Sequence, residues 1–270
     1  SDGGFVVTWE SLNQESHPVY GNDPSVMAGI FGQRYDSLGA KIDGEFQVNS
    51  ETYYPQSSPC VTGLTDGGFV VTWESDNQEW HPGYGIFGQR YDITGAKVGD
   101  EFHINTYTED RQSDPSVTSL NNGGFVVTWT SEGQDGDSNG IFGQRYDSSG
   151  VAAGDEFQVN THKSGHQYSS SVTSLSDGAF LATWISDGQD GEWAGIFAQL
   201  FDIQGAKVGD EFIVNTHTVG NQYAVSITAL HDGGFLTTWN SGGQDEDGSY
   251  GIYGQRFDSS GNAVGVEFQI

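Results

Sequence analysis

Cysteine, proline and basic residues are all scarce in this chain, and each shortage removes a class of explanation. With Cys60 as the one cysteine in 270 residues, no internal disulfide framework exists, although the shortage does not place the chain in the cytosol. Nine Lys and Arg stand against 37 Asp and Glu, for a formal net charge of −28. Such an excess repels phosphates and anionic headgroups within the screening length, which excludes nucleic acid and bare membrane and points to cations. No apolar run approaches the ~20 residues that a bilayer span requires, so direct membrane insertion is not expected. No basic-then-apolar signal segment opens the sequence, and no stretch carries a helical period. Aromatic residues, at 13 %, are plentiful enough to argue against disorder.

What is abundant is repetition. Gly-Ile-Phe-Gly-Gln-Arg-Tyr-Asp at 29–36 returns at 85–92 and 140–147, then as GIFAQLFD at 195–202 and GIYGQRFD at 251–258. The tryptophans closing each GGF(V/L)xTW segment are Trp9, Trp73, Trp129, Trp184 and Trp239, spaced by 64, 56, 55 and 55 residues. A period of that length means a propeller, a solenoid or a tandem array. One unit reads as four short strands, A to D: PSVTSL (115–120), GGFVVTW (123–129), IFGQRYD (141–147) and EFQVN (156–160). They are rich in β-branched and aromatic residues and separated by Gly, Asn, Asp and Ser. The A-to-B turns carry Asp-Gly or Asn-Gly, and the C-to-D turns place Asp first and Gly fourth, both ordinary turn chemistry. The spacings A-to-B and C-to-D are constant at 12 and 19 residues, while the B-to-C loop varies. Variable length belongs to surface loops, where binding groups collect.

A four-stranded unit of ~55 residues cannot bury both faces alone and must pack on its copies. The expected fold is therefore all-β: a single β-propeller over 1–270, of five four-stranded antiparallel blades, with repeats near 1–65, 66–121, 122–176, 177–231 and 232–270. A linear β-solenoid is the competing architecture. Only four A strands are present, so one blade is expected to lack its inner strand in this chain, with either a flanking segment supplying it or the array continuing in a longer parent.

Antiparallel alternation puts the B-to-C loops and D-to-A connections on one face. There the candidate binding residues are Trp80, Tyr84, Gln134, Asn160, His162, Gln189, Trp193, Asn215, His217, Gln244 and Tyr250, aromatic rings beside amides and carboxylates as sugar recognition uses. Oxygen ligands in Gly-rich loops suit Ca²⁺, with Asp135, Asp137, Asp190, Glu192, Asp245 and Asp247 as candidate ligands or, equally, as solvated acids. No His or Cys spacing suits a transition metal. The repeated Arg34, Arg90, Arg145 and Arg256 are expected to pair with a carboxylate on the next strand or blade, such as Glu45, Glu101, Glu156 or Glu267 of strand D. Catalysis is disfavoured, because repeats place like carboxylates in like surroundings whereas acid–base work needs them different; the unique first B-to-C loop, with Glu15, His17, Tyr20 and Asp23, is where an active site is expected if there is one.

The DGGFVVTW, GIFGQRYD and EFxVNT segments resemble repeats of very large exported bacterial proteins that also carry haemolysin-type (RTX) calcium-binding or cadherin-like regions. That resemblance implies a secreted or cell-surface setting rich in Ca²⁺. The expectation is a non-catalytic recognition or adhesion module for glycans or matrix components, stabilised by calcium. The alternatives are a self-associating subunit of a filament, sheath or surface layer, and a glycosidase or lyase.

Overall fold

The computed structural model of the chain describes residues 3–12, 14, 28–76, 78, 83–245 and 248–270. These fall into two compact units, Ser1–Val117 and Thr118–Ile270. Among the described residues every regular element is a β-strand, gathered into five antiparallel sheets. The unique first loop, with Glu15, His17, Tyr20 and Asp23, lies outside the described residues, as do Trp80 and Asp247.

In unit 1 the first sheet has three strands, β1 (Phe5–Leu12), β2 (Ala28–Tyr35) and β3 (Lys41–Gln47), in that order. The second is β4 (Gln56–Gly63), β5 (Phe69–Asp76), β6 (Tyr84–Tyr91) and β7 (Lys97–His103), again in chain order. Strand β8 (Gln112–Ser119) carries the division between the units and is the edge strand of a sheet with β9 (Phe125–Glu132), β10 (Asn139–Tyr146) and β11 (Phe157–Gln158). Unit 2 continues with β12 (Gln167–Ser174), β13 (Phe180–Asp187), β14 (Ala194–Phe201) and β15 (Lys207–Ile213). It ends with β16 (Gln222–Ala229), β17 (Phe235–Gly242), β18 (Tyr250–Phe257) and β19 (Ala263–Gln269). The A-to-D order expected from the repeat is thus the order in each four-stranded sheet, and this is a propeller-like repeat fold. Each four-stranded sheet opens at its A strand, about ten residues before the repeat boundary that the tryptophan spacing suggests, whereas the three-stranded sheet opens at a B strand.

Alternation along strand B decides the packing. In unit 1, Phe69, Val71 and Trp73 of β5, with Phe87 and Tyr91 of β6, pack against Val6, Ile30, Phe46 and Val48 of the first sheet. Unit 2 repeats the arrangement, with Phe180, Ala182, Trp184, Phe197 and Phe201 against Val126, Ile141, Phe157 and Val159. Trp73, Trp129 and Trp184 are buried completely. The second glycine of GIFGQRYD has a packing reason: a Cβ on Gly88 would lie 2.7 Å from the Phe102 ring that covers it.

Polar frame residues hold the loops to the sheets. Asn49, Asn105, Asn160 and Asn215 each accept the backbone N–H of the strand-C isoleucine through Oδ1, at 2.7–2.8 Å. Gln56, Gln112, Gln167 and Gln222 are buried at the start of strand A, and Gln56 accepts the Trp73 indole N–H at 2.9 Å. Three of the strand-C arginines pair with aspartates: Arg34 with Asp43 of strand D at 3.6 Å, Arg90 with the turn residue Asp66 at 3.9 Å, and Arg256 with Asp232. Glu101 accepts from Gln78 and from the backbone of Ser50, and Glu211 accepts from Gln189 and from the backbone of Thr161. Arg34 also donates to the carbonyls of Ile93 and Thr94, and Arg145 to that of Gln204. The carboxylate partners are thus aspartates of a strand or turn within reach of the guanidinium, while Glu101 and Glu211 are drawn to amide donors.

Candidate functional site

Several of the candidate binding residues belong to this frame. Asn160 and Asn215 are buried, with their Nδ2 groups donating to the carbonyls of His162 and His217 at 2.6 and 2.8 Å. Gln134, Gln189 and Gln244 donate to Glu156, Glu211 and Glu267, which ties each B-to-C loop to its own strand D. His162 lines a shallow depression with Lys207, Asp210 and Glu211, and His217 is half-buried.

The acidic loops fold on themselves. Asp135 accepts the Asp137 N–H at 3.1 Å and the Gln158 amide at 3.2 Å, while Asp137 accepts the Gly165 N–H at 3.1 Å. Asp190 accepts the Glu192 N–H at 3.2 Å, and Asp245 accepts the Tyr253 hydroxyl at 2.6 Å. Among the described residues no three or more His, Cys, Asp or Glu side chains gather as a metal-binding group.

Two places depart from the repeat. In unit 1, Glu74 of β5 is a carboxylate with 1 % side-chain exposure, where the corresponding residues are the exposed Glu10 and then Thr130, Ile185 and Asn240. Arg111 reaches it at 2.6 Å, and its guanidinium lies 4.4 Å from the centre of the Tyr84 ring. Burial pushes the Glu74 acid above the usual carboxylate range, against the lowering by Arg111. Like carboxylates in like surroundings is therefore not a rule that this array obeys.

In unit 2 the corresponding place is open. A cleft of about 450 Å³ is lined by Tyr168, Asp187, Glu192, Trp193, Asn221 and Tyr223, with Gly188 and Ala194 completing it. Asp187 ends β13 and accepts the Tyr168 hydroxyl at 3.3 Å, and the phenol is pushed up to about 12 by burial and by that carboxylate. Glu192 and Trp193 project from the B-to-C loop, and the Trp193 side chain is 63 % exposed. Asn221 accepts the Ala194 N–H at 3.3 Å. Tyr250, also exposed, lies with its ring centre 5.9 Å from that of Tyr223. The structure thus joins Trp193 and Glu192, and adds Tyr168, Asp187, Asn221 and Tyr223, which the sequence reading did not single out. The available signal was variation: each occupies a position where the repeats differ.

No family model and no curated protein matches this sequence, so nothing supports the RTX or cadherin-like resemblance specifically. Solved structures do match. A protein of unknown function from Dyadobacter fermentans aligns over 99 % of this chain and 79 % of its own, with TM-score 0.66 and 10 % identity. The α-L-arabinanase of Penicillium chrysogenum, complexed with arabinobiose, aligns over 93 % and 76 %, with TM-score 0.59 and 13 % identity. The α-L-arabinofuranosidase of Lactobacillus brevis aligns over 97 % and 90 %, with TM-score 0.51 and 10 % identity. These likenesses establish the fold. Several of these neighbours are arabinanases and arabinofuranosidases, which corrects the expectation of a non-catalytic recognition or adhesion module and of a chain that is not an enzyme.

Proposed function

We propose that the chain is a glycoside hydrolase that acts on a polysaccharide at the unit 2 cleft. One observation carries the reading: two carboxylates in different settings, Asp187 half-buried against Tyr168 and Glu192 exposed on a loop, line a single cleft beside an exposed tryptophan. Hydrolysis of a glycosidic bond needs one carboxyl to protonate the leaving oxygen and a second to take the proton from water, directly or by way of a glycosyl intermediate. Asp187, held in place by the Tyr168 hydroxyl, is the base, and Glu192, free to approach the leaving group, is the acid. Trp193 supplies the flat apolar surface on which a sugar ring stacks, and Tyr168 and Tyr223 supply the walls. A cleft of this volume falls in the range that small-molecule sites occupy.

The five sheets are read as five blades of one propeller, the first of them short of a strand. A secreted or cell-surface setting and calcium in the acidic loops belong to the same reading, supported by the charge of −28 and the exposed Gly-rich loops.

The test is release of reducing ends from arabinan and from other plant and bacterial polysaccharides. Activity on at least one polymer is expected, with Asp187→Asn and Glu192→Gln each lowering kcat by about 10²–10⁴. Absence of release from every polymer, or release that both variants retain, refutes the assignment.

A further inference from the structure

The crevice between the start of strand C and the residue before the next strand A recurs along the array, and at Tyr84 and Arg111 in unit 1 it already contains a cation. The β5–β6 pairing sets Asp76 opposite Tyr84, and the β13–β14 pairing sets Asp187 opposite Ala194, so Tyr84 and Ala194 hold equivalent positions. Arg111 immediately precedes the buried Gln112, and Asn221 immediately precedes the buried Gln222, so these two are equivalent as well. In unit 1 the guanidinium of Arg111 therefore fills the crevice, seated over the Tyr84 ring and against the Glu74 carboxylate. At Ala194 and Asn221 in unit 2 the chain supplies no such cation, because Asn221 is neutral and accepts the Ala194 N–H through Oδ1, and Ala194 removes the ring beneath it.

The surroundings that favour a cation are nonetheless present in unit 2, rebuilt from other positions. Where unit 1 has Ser57, Gly83 and Ser113, unit 2 has Tyr168, Trp193 and Tyr223. Asp187 and Glu192 add two carboxylates, and no Lys, Arg or His lines the cleft. Aromatic faces attract cations through the ring quadrupole, and a cage of such rings is a known means of holding an organic ammonium. A neutral sugar alone would use the stacking surface but leave two carboxylates without a counter-charge.

We infer that the unit 2 cleft is a receptor for an organic ammonium group, and that its ligand is the protonated amine of an amino sugar in a glycan. This rests on the reading of the cleft as a saccharide site and names the class of sugar it takes. An anionic sugar is excluded by the two carboxylates, and an N-acetylated one presents no charge to them.

The inference is tested at equilibrium, without turnover, by titrating the protein with the β-1,4 glucosamine trimer and with the N-acetylglucosamine trimer at mildly acid pH and low salt. Tryptophan fluorescence reports the cleft through Trp193, and a parallel calorimetric titration gives the affinity. The free-amine trimer should bind at least about tenfold more tightly than the acetylated one, and added NaCl should weaken it. Asn221→Arg should abolish binding by supplying the side chain that fills the unit 1 crevice, with the melting temperature of the protein unchanged. Trp193→Ala should weaken binding as well. Equal affinity for the two trimers, or full binding by folded Asn221→Arg, overturns the inference. Binding of argininamide but of neither trimer overturns the sugar as the source of the cation. Hydrolysis of a neutral polymer with no preference for amines overturns this inference and leaves the proposed activity standing, whereas amine binding without hydrolysis of any polymer does the reverse.

Discussion

Arg111 and Glu74 form an ion pair in which one partner is buried and the other is half exposed: Nη2 lies 2.6 Å from Oε1, with side-chain exposures of 51 % and 1 %. Removing Arg111 leaves a buried carboxylate bonded, among the described residues, by the Asp114 N–H. Arg111→Ala should therefore cost about 1–3 kcal/mol at neutral pH. The cost should depend on pH, with a definite sign. Burial holds the Glu74 acid above its ordinary value, so the native protein takes up this proton before the unfolded chain does. The stability contributed by that proton is whole below the unfolded value and is lost as the pH rises through the native one. Without the guanidinium the native value moves further up, so the deficit of the variant narrows as the pH falls toward the carboxylate range. Denaturant melts of both proteins across mildly acid to neutral pH measure it; a deficit constant with pH would show that the ion pair does not govern Glu74.

The turn glycines differ in what they tolerate. A Cβ added to Gly124 would lie 2.1 Å from the Tyr146 carbonyl oxygen, a backbone atom that cannot swing aside. At Gly63 nothing lies within 4 Å, and no left-handed conformation is required. Gly124→Ala should destabilise by about 1–3 kcal/mol and Gly63→Ala by less than about 0.5 kcal/mol. Thermal melts of the two single variants separate them.

Much of the fold could be read from the sequence because strand and turn chemistry are local. The A-to-D order, the turns at Asp66-Gly67 and Asn122-Gly123, and the burial of Trp73, Trp129 and Trp184 all follow from β-propensity, glycine placement and side-chain alternation. The site was far less legible. Residues present in every repeat, such as Asn160 and Gln189, look like a polar ring when read as a list, yet their amides close the loops of their own sheets. Repetition at a fixed spacing marks a structural need common to all units. Chemistry particular to one repeat sits where the repeats disagree, as at Arg111, Trp193 and Asn221. The pairing of Arg111 with Glu74 spans 37 residues and could not be read from local pattern.

Glu211 is one such frame residue, and its role is measurable. One oxygen accepts the Thr161 N–H at 2.6 Å, and the other accepts the Gln189 amide, so a single carboxylate ties a D-to-A connection to a B-to-C loop. Glu211→Ala should cost about 1–3 kcal/mol, and Glu211→Gln should cost less because it keeps one acceptor. Hydrogen exchange gives the local reading: the Thr161 amide should lose protection in Glu211→Ala. Unchanged exchange at Thr161 would mean that the connection is held by other bonds.

Cations provide the last test, because the acids that crowd the folded chain repel one another more than they do in the unfolded one. Raising NaCl should raise the melting temperature by screening alone, the effect levelling off as the Debye length falls to about 8 Å near 0.15 M. Calcium bound in the loops would add to this. One or two carboxylates, such as Asp135 and Asp137, would be completed by carbonyls and water to the 6–8 oxygens that the ion prefers. A ligand that binds only the native form contributes about 2.7 kcal/mol at a hundredfold excess over Kd. CaCl₂ is therefore expected to raise the melting temperature beyond NaCl of equal ionic strength. Replacing Asp135, Asp137, Asp190, Glu192, Asp245 and Asp247 by their amides should erase that increment while leaving the NaCl response. Coincident CaCl₂ and NaCl curves for the unaltered protein would reduce the whole effect to screening.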